Sequence, residues 1–294
     1  MPMLTTIRNS TLEATISTRG AELQSIRSAD GISYLWNGDP AHWSGRAPIL
    51  FPCVGALRDG RAVSEAGEIR LPKHGFARHM EWQLENVSDD RAAYRLDADD
   101  STRVGYPYDF SLRAEYRLGE RSVATILTVA NTGSRTLPYC LGGHPAFHVP
   151  LAEGESFEDY LLEFEQPETA DCPQVDLQHG LIMDTCRNRV LTESRTLPLN
   201  HALFRGDALI FDRLKSRSAR LFSPKSGRGV RMDFAGLDIF AVWSPAQDAP
   251  FVALEPWNGS GTQVSEDDVF EHKQCLRRLA PGQEDTVSFT VTVF

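Results

Sequence analysis

The sequence predicts an all-β protein built from two large antiparallel sheets packed face to face, and three observations carry that prediction. Apolar and polar residues alternate through residues 110–118 and 122–129, so each run offers one face to a core and the other to water. No amphipathic helical stretch alternates with such runs, which excludes Rossmann and TIM-barrel architectures. Short strand-like segments recur over all 294 residues with no fixed-period repeat and no low-complexity tract. Two stacked sheets use up this many strands. With no linker rich in Gly, Ser or Pro, residues 1–294 read as a single domain.

Taken in order, residues 12–18 and 21–26 alternate around an Arg19-Gly20 turn and predict an opening hairpin. Residues 31–60 are looser, with Trp36 and Trp43 flanking Asn37-Gly38-Asp39-Pro40. Pro48 and Pro52 bracket the apolar run at 46–52, which predicts an edge strand or a buried loop rather than a central strand. Residues 68–71 form a short strand, and 82–129 read as a meander with polar turns at 88–90 and 97–101. The acidic clusters in those turns are expected to be solvated. Further strands are expected at 160–164, 208–211, 219–222, 230–234, 239–243 and 286–294. Only residues 265–276 have a helical pattern.

Composition narrows the function. With 41% hydrophobic and 24% charged residues the chain has the make-up of a soluble globular protein. A net charge of -10 repels phosphate backbones and anionic membranes, so neither nucleic acid nor a membrane is an expected partner. Five widely spaced cysteines without a C-x-x-C pair predict reduced thiols rather than a disulfide framework or a zinc knuckle. Residues 1–8 lack the basic start and apolar core of a signal peptide. The longest apolar stretch, 47–57, is too short and too rich in Pro and Gly to cross a bilayer. A cytoplasmic location is expected, as a monomer or a homodimer.

Three places break the alternation and present polar groups. In Leu141-Gly142-Gly143-His144-Pro145-Ala146-Phe147-His148, two glycines permit positive φ or close approach to a ligand, and Pro145 holds His144 extended. A buried structural histidine fits that stretch equally well when it is taken alone. Lys73-His74-Gly75-Phe76-Ala77-Arg78 has the same form. In Val252-Ala253-Leu254-Glu255-Pro256-Trp257, an acidic residue ends an apolar strand and is locked by Pro256. Desolvation there raises a carboxyl pKa and makes the group a better proton acceptor near neutrality, the alternative being an ion-paired strand end.

A metal is not signalled. His144 and His148 lie roughly 13 Å apart along an extended strand, and no H-E-x-x-H or H-x-H occurs. G-x-S-x-G, P-loop and dinucleotide signatures are missing as well. What remains is acid/base chemistry without a cofactor. Trp36, Trp43, Phe147, Trp243 and Trp257 can each stack on a sugar ring, with one or two expected to do so and the others to be core. Arg46, Arg78 and Asp207 are candidates for recognising hydroxyls, although each alone also reads as a surface ion pair.

At these residues the sequence resembles the aldose 1-epimerase (galactose mutarotase) family, especially its short bacterial branch related to hexose-6-phosphate mutarotases. The matching segments are Arg46-Ala47-Pro48-Ile49-Leu50-Phe51-Pro52-Cys53-Val54-Gly55, Pro72-Lys73-His74-Gly75-Phe76-Ala77-Arg78, Gly142-Gly143-His144-Pro145-Ala146-Phe147, Asp207-Ala208-Leu209-Ile210-Phe211 and Leu254-Glu255-Pro256-Trp257. The resemblance implies a β-supersandwich with a shallow open sugar cleft. It also implies Glu255 as general base and His144 as general acid, with His74, Arg78, Arg46 and Asp207 binding or orienting the sugar and Trp257 beside it. The implied activity is interconversion of the anomers of an aldohexose, free or phosphorylated. A non-catalytic sugar-binding protein and a metal-dependent β-sandwich enzyme are the competing classes.

Overall fold

In the computed structural model, which describes residues 2–294, the alternating runs pair into antiparallel sheets. The largest has nine strands in the order Ile182–Pro198, Leu161–Val175, Ser218–Phe222, Gly229–Asp233, Glu284–Val293, Ser122–Asn131, Phe110–Leu118, Arg91–Asp97 and Gln83–Val87. The second runs Leu209–Phe211, Ile239–Trp243, Phe251–Asn258, Leu141–Gly143 and Ile49–Leu50, with Ala146–His148 also paired to Phe251–Asn258. Ile49–Leu50 lies at the edge of that sheet, as its bracketing prolines require. The opening hairpin belongs to a separate three-stranded sheet with Leu4–Arg8.

One core lies between the two large sheets. Leu112, Val129, Leu162 and Val291 of the first meet Phe211, Phe240, Val252 and Leu254 of the second in a single apolar cluster. Each such buried side chain contributes about 1.5–3 kcal/mol. Strand Phe251–Asn258 is buried along its whole length. Its even-numbered apolar residues Val252 and Leu254 enter the inter-sheet core, and side chains alternate faces along a strand. Phe251, Ala253, Glu255 and Trp257 therefore share the opposite face, where separate apolar clusters form around Trp36 and around Ile210 and Ile239.

Four expectations change. The strand does not end at Glu255 but runs through Pro256 to Asn258; Pro256 falls opposite Gly143, the last residue of Leu141–Gly143, so its missing N–H comes where that pairing ends. Residues 97–101 are more than a solvated turn, since Asp99 caps the helix Asp100–Gly105 by accepting from the Thr102 amide. The helical pattern at 265–276 yields only the 3-10 turn Phe270–His272. Upstream of it, the carbonyls of Gln263, Val264 and Glu266 are taken by the Arg58 guanidinium, which competes with helix formation. Finally, the strand at 160–164 is the start of a hairpin of Leu161–Val175 and Ile182–Pro198, whose repeated register shifts and internal Pro167 and Pro173 hide it from an alternation test. Among the described residues no helix is long and apolar enough to cross a membrane, and the five cysteines are free.

Candidate active site

The outer face of the smaller sheet carries a hollow of about 250 Å³. That lies just below the usual range of small-molecule pockets, about 300–1,000 Å³, and suits a small ligand. Its walls include His74, Arg78, His144, Asp207, Glu255 and Trp257, so six of the seven residues singled out in the sequence converge there. Arg46 does not line it. The Arg46 guanidinium donates to the Asn37 carbonyl at 2.7 Å and to the Gln24 side chain, while its carbonyl accepts from the Ala146 amide. The segment thus supports the His144 corner through its backbone, and its charge is spent on neighbouring loops.

Cross-strand pairing brings His144 and Glu255 together. Gly142 is opposite Trp257 and Ala146 is opposite Ala253, so stepping two residues inward from either pair places His144 opposite Glu255. Directly opposed residues share a face of the sheet, and His144 Nε2 lies 3.2 Å from Glu255 Oε2. On its other side Glu255 faces Ala241, whose small side chain leaves the space open. The imidazole of His144 stacks on Trp43, with ring centres 4.8 Å apart, and meets the edge of Trp243.

The glycines before His144 have a different purpose from the one their sequence suggests. Neither adopts the left-handed backbone. A Cβ on Gly142 would sit 2.7 Å from Trp257 Cδ1, and one on Gly143 would sit 2.5 Å from the Phe289 ring. They are small because Trp257 packs over one side of the strand and Phe289 over the other. Gly75 is the residue that needs both properties, with φ of 71° and a Cβ position 2.1 Å from the Phe51 carbonyl oxygen.

His74 is itself left-handed, at φ 67°, a conformation that costs about 1–3 kcal/mol for a residue with a side chain. Two hydrogen bonds hold it: its amide donates to the Gly55 carbonyl at 2.8 Å, and its Nδ1 accepts from the Gly55 amide at 3.1 Å. Because Nδ1 accepts, the neutral ring carries its proton on Nε2 and can donate from there. His74 meets His144 edge-on at 5.7 Å. Asp207, left-handed at φ 77°, stands 3.8 Å from the half-exposed ammonium of Lys73. Arg78 donates to the Lys73 carbonyl at 2.8 Å and to His79.

Burial dominates the electrostatics. It pushes His144 down to about 3 and His74 well below the usual imidazole range, with repulsion from neighbouring cationic groups adding to the effect. It pushes Glu255 well above the usual carboxylate range, against the opposing pull of Lys73. Burial therefore disfavours the charged form of each partner.

The sequence left several wall residues unassigned. Lys73 is one of them, carrying no signal in the sequence beyond its place in the Lys73–Arg78 motif. Val175, Gly180 and Ile182 arrive from the tip of the long hairpin, which no local pattern signals. Three indoles, Trp43, Trp243 and Trp257, line the hollow, whereas Trp36 and Phe147 are buried outside it.

The antiparallel two-sheet sandwich is the fold of galactose mutarotase-like proteins, here with His144 and Glu255 in register on one outer face. The chain belongs to the aldose 1-epimerase family, whose model matches residues 3–290. It is 38% identical over 293 residues to protein LacX of Lactococcus lactis subsp. lactis, covering 98% of each chain. A galactose mutarotase related enzyme from Lactobacillus acidophilus superposes with a TM-score of 0.93 at 29% identity, covering 99% of this chain and 97% of that one. A galactose mutarotase-like protein from Lactobacillus casei gives 0.90 at 30% identity, covering 99% and 100%.

Proposed function

We propose that this protein is an aldose 1-epimerase that interconverts the α and β anomers of an aldohexose by opening and reclosing the ring. The observation that carries the reading is the in-register pair of His144 and Glu255, 3.2 Å apart in a hollow that suits a small ligand. The C1 hydroxyl oxygen and the ring oxygen are bonded to the same carbon, so an acid and a base this close can serve both at once. One partner takes the hydroxyl proton while the other protonates the ring oxygen, and the C1–O5 bond breaks to give the open-chain aldehyde. Rotation about C1–C2 then allows reclosure on the other face, with the two partners in opposite roles.

In the direction implied by the family resemblance, Glu255 is the base and His144 the acid that open the ring. Burial disfavours both the Glu255 anion and the His144 imidazolium, and moving a proton from the Glu255 carboxyl to His144 produces the charged pair that reacts. His74 donates from Nε2 to a sugar oxygen, Asp207 and Arg78 hold hydroxyls, and the indoles cover the apolar face of the ring. Each positioned proton transfer contributes about 10²–10⁴-fold.

A phosphorylated aldose is the second reading, favoured by Lys73 and Arg78, two cations in the wall of a protein whose net charge is -10. Polarimetry on freshly dissolved α-glucose, α-galactose and glucose 6-phosphate tests both. Acceleration of a free sugar or of the phosphate identifies the class, and acceleration of none refutes the proposal. Glu255→Gln should slow anomerisation by about 10²–10⁴-fold while sugar still binds. Unchanged turnover with unchanged affinity would leave a sugar-binding module instead.

A further inference from the structure

Outside the acid/base pair lies a buried lysine with no role in the chemistry above. The Lys273 side chain is 2% exposed. Its Nζ donates to the Thr262 hydroxyl at 3.0 Å and to Glu266 Oε2 at 3.2 Å. Burying an ammonium is costly unless it is paired and hydrogen-bonded, and a well-packed apolar residue often does as well for stability alone. The question is what this charge holds in place.

Thr262 is a junction of three segments. Its amide donates to the Ala56 carbonyl at 2.8 Å, and its carbonyl accepts from the Ile182 amide at 2.9 Å, which docks the hairpin tip against the hollow. Beside it, Gly261 and Gly55 touch through their backbones, since a Cβ on Gly55 would lie 2.5 Å from the Gly261 Cα. Gly55 in turn makes both hydrogen bonds that hold His74. A continuous set of contacts therefore runs from Lys273 through Thr262 and the 55–56 backbone to the Nδ1 of His74.

We propose that Lys273 is a positioning residue for His74: by fixing Thr262 it holds the Gly55 amide on Nδ1, and so sets which ring nitrogen carries the proton and where the ring points. This rests on the reading of His74 as a sugar-binding donor for its consequence, but not for its geometry. Losing the Lys273 contacts frees the 260–262 backbone, weakens the Gly55 bond and lets the other tautomer of His74 become populated.

The test uses nitrogen-15 NMR of the full-length protein, which reads the His74 tautomer without any substrate. In the wild type a single tautomer with bare Nδ1 is expected. In Lys273→Met, paired with Glu266→Gln so that no carboxylate is left unmatched, the His74 nitrogens should move towards a mixture of tautomers. Val293→Ala, a core truncation that involves none of these contacts, should leave them in place. The effect on anomerisation should be a fall in kcat of roughly ten- to a hundredfold, as for a small misplacement of a substrate-positioning group, with Lys273→Arg recovering part of it. If the Lys273 variant fails to fold, Thr262→Val breaks the same link and should give the same NMR change. Unchanged His74 signals in whichever of these variants folds, with only the melting temperature lowered, would overturn the proposal and make Lys273 purely structural. An inactive wild type with the expected tautomer shift would instead fault the assigned function and leave the positioning intact.

Discussion

The pairing of His144 with Glu255 sets the pH response of single residues. In the proposed mechanism, below the acid limit both partners are protonated and nothing accepts the C1 hydroxyl proton. Above the basic limit both are deprotonated and nothing protonates the ring oxygen. Burial lowers the first limit, to about 3 for His144, and raises the second above the ordinary carboxylate range. Kcat/KM, corrected for spontaneous mutarotation, should therefore be flat across mildly acidic pH and fall only at the two extremes. The apparent limits belong to the pair and not to either residue. A profile falling around pH 6.5, as for a solvated imidazole, would contradict this. At the same scale the two candidate arginines separate: Arg78 lines the hollow, whereas the Arg46 guanidinium is held by Asn37 and Gln24. Both look alike in sequence because the direction of a long side chain depends on partners more than twenty positions away, such as Gln24.

At the scale of elements, the site is made by strand Phe251–Asn258 and the two short strands alongside it, Leu141–Gly143 and Ala146–His148. Their common register sets His144 against Glu255, and Gly142 makes room for Trp257 directly across. Gly142→Ala would force a Cβ to 2.7 Å from the Trp257 ring and 2.8 Å from the Pro256 carbonyl, so both strands must give way. The expected cost is about 1–3 kcal/mol, with weaker sugar binding as Trp257 tilts. Gly206→Ala, at a position with nothing within 4 Å, should cost far less. Urea midpoints of the two variants compare them, and equal midpoints would refute the packing account. Alternation revealed most strands because each has one face in the core. It missed the Leu161–Val175 and Ile182–Pro198 hairpin because bulges shift its register several times, and a single shift moves side chains to the other face. That hairpin brings Val175 and Ile182 to the hollow, so part of the wall was hidden with it.

For the molecule as a whole, burying the site has a consequence for stability. His74 and His144 are held neutral in the fold but take up protons near pH 6.5 once unfolded. The unfolded chain therefore binds more protons below pH 6.5, and stability falls as pH drops from there, by up to about 1.4 kcal/mol per pH unit for each histidine until its own folded-state limit, about 3 for His144. Glu255 has the opposite sign, because its raised value makes the fold hold a proton that the unfolded chain releases, so its contribution is lost as pH rises. His144→Gln should flatten the decline in urea midpoint between pH 6.5 and 4.5, and an unchanged slope would show that this imidazole is not held neutral. The sequence by itself determined the all-β class, that residues 46–52 are no central strand, and which residues are the acid/base candidates. These follow from local rules, namely side-chain alternation, the backbone limits of proline and glycine, and the chemistry of imidazole and carboxyl groups. Only the tertiary structure decided that His144 and Glu255 stand in register, that Arg46 turns away and that Lys273 lies buried against Thr262. Those facts depend on contacts between residues far apart in the chain, and no local pattern encodes which distant segment will supply a partner.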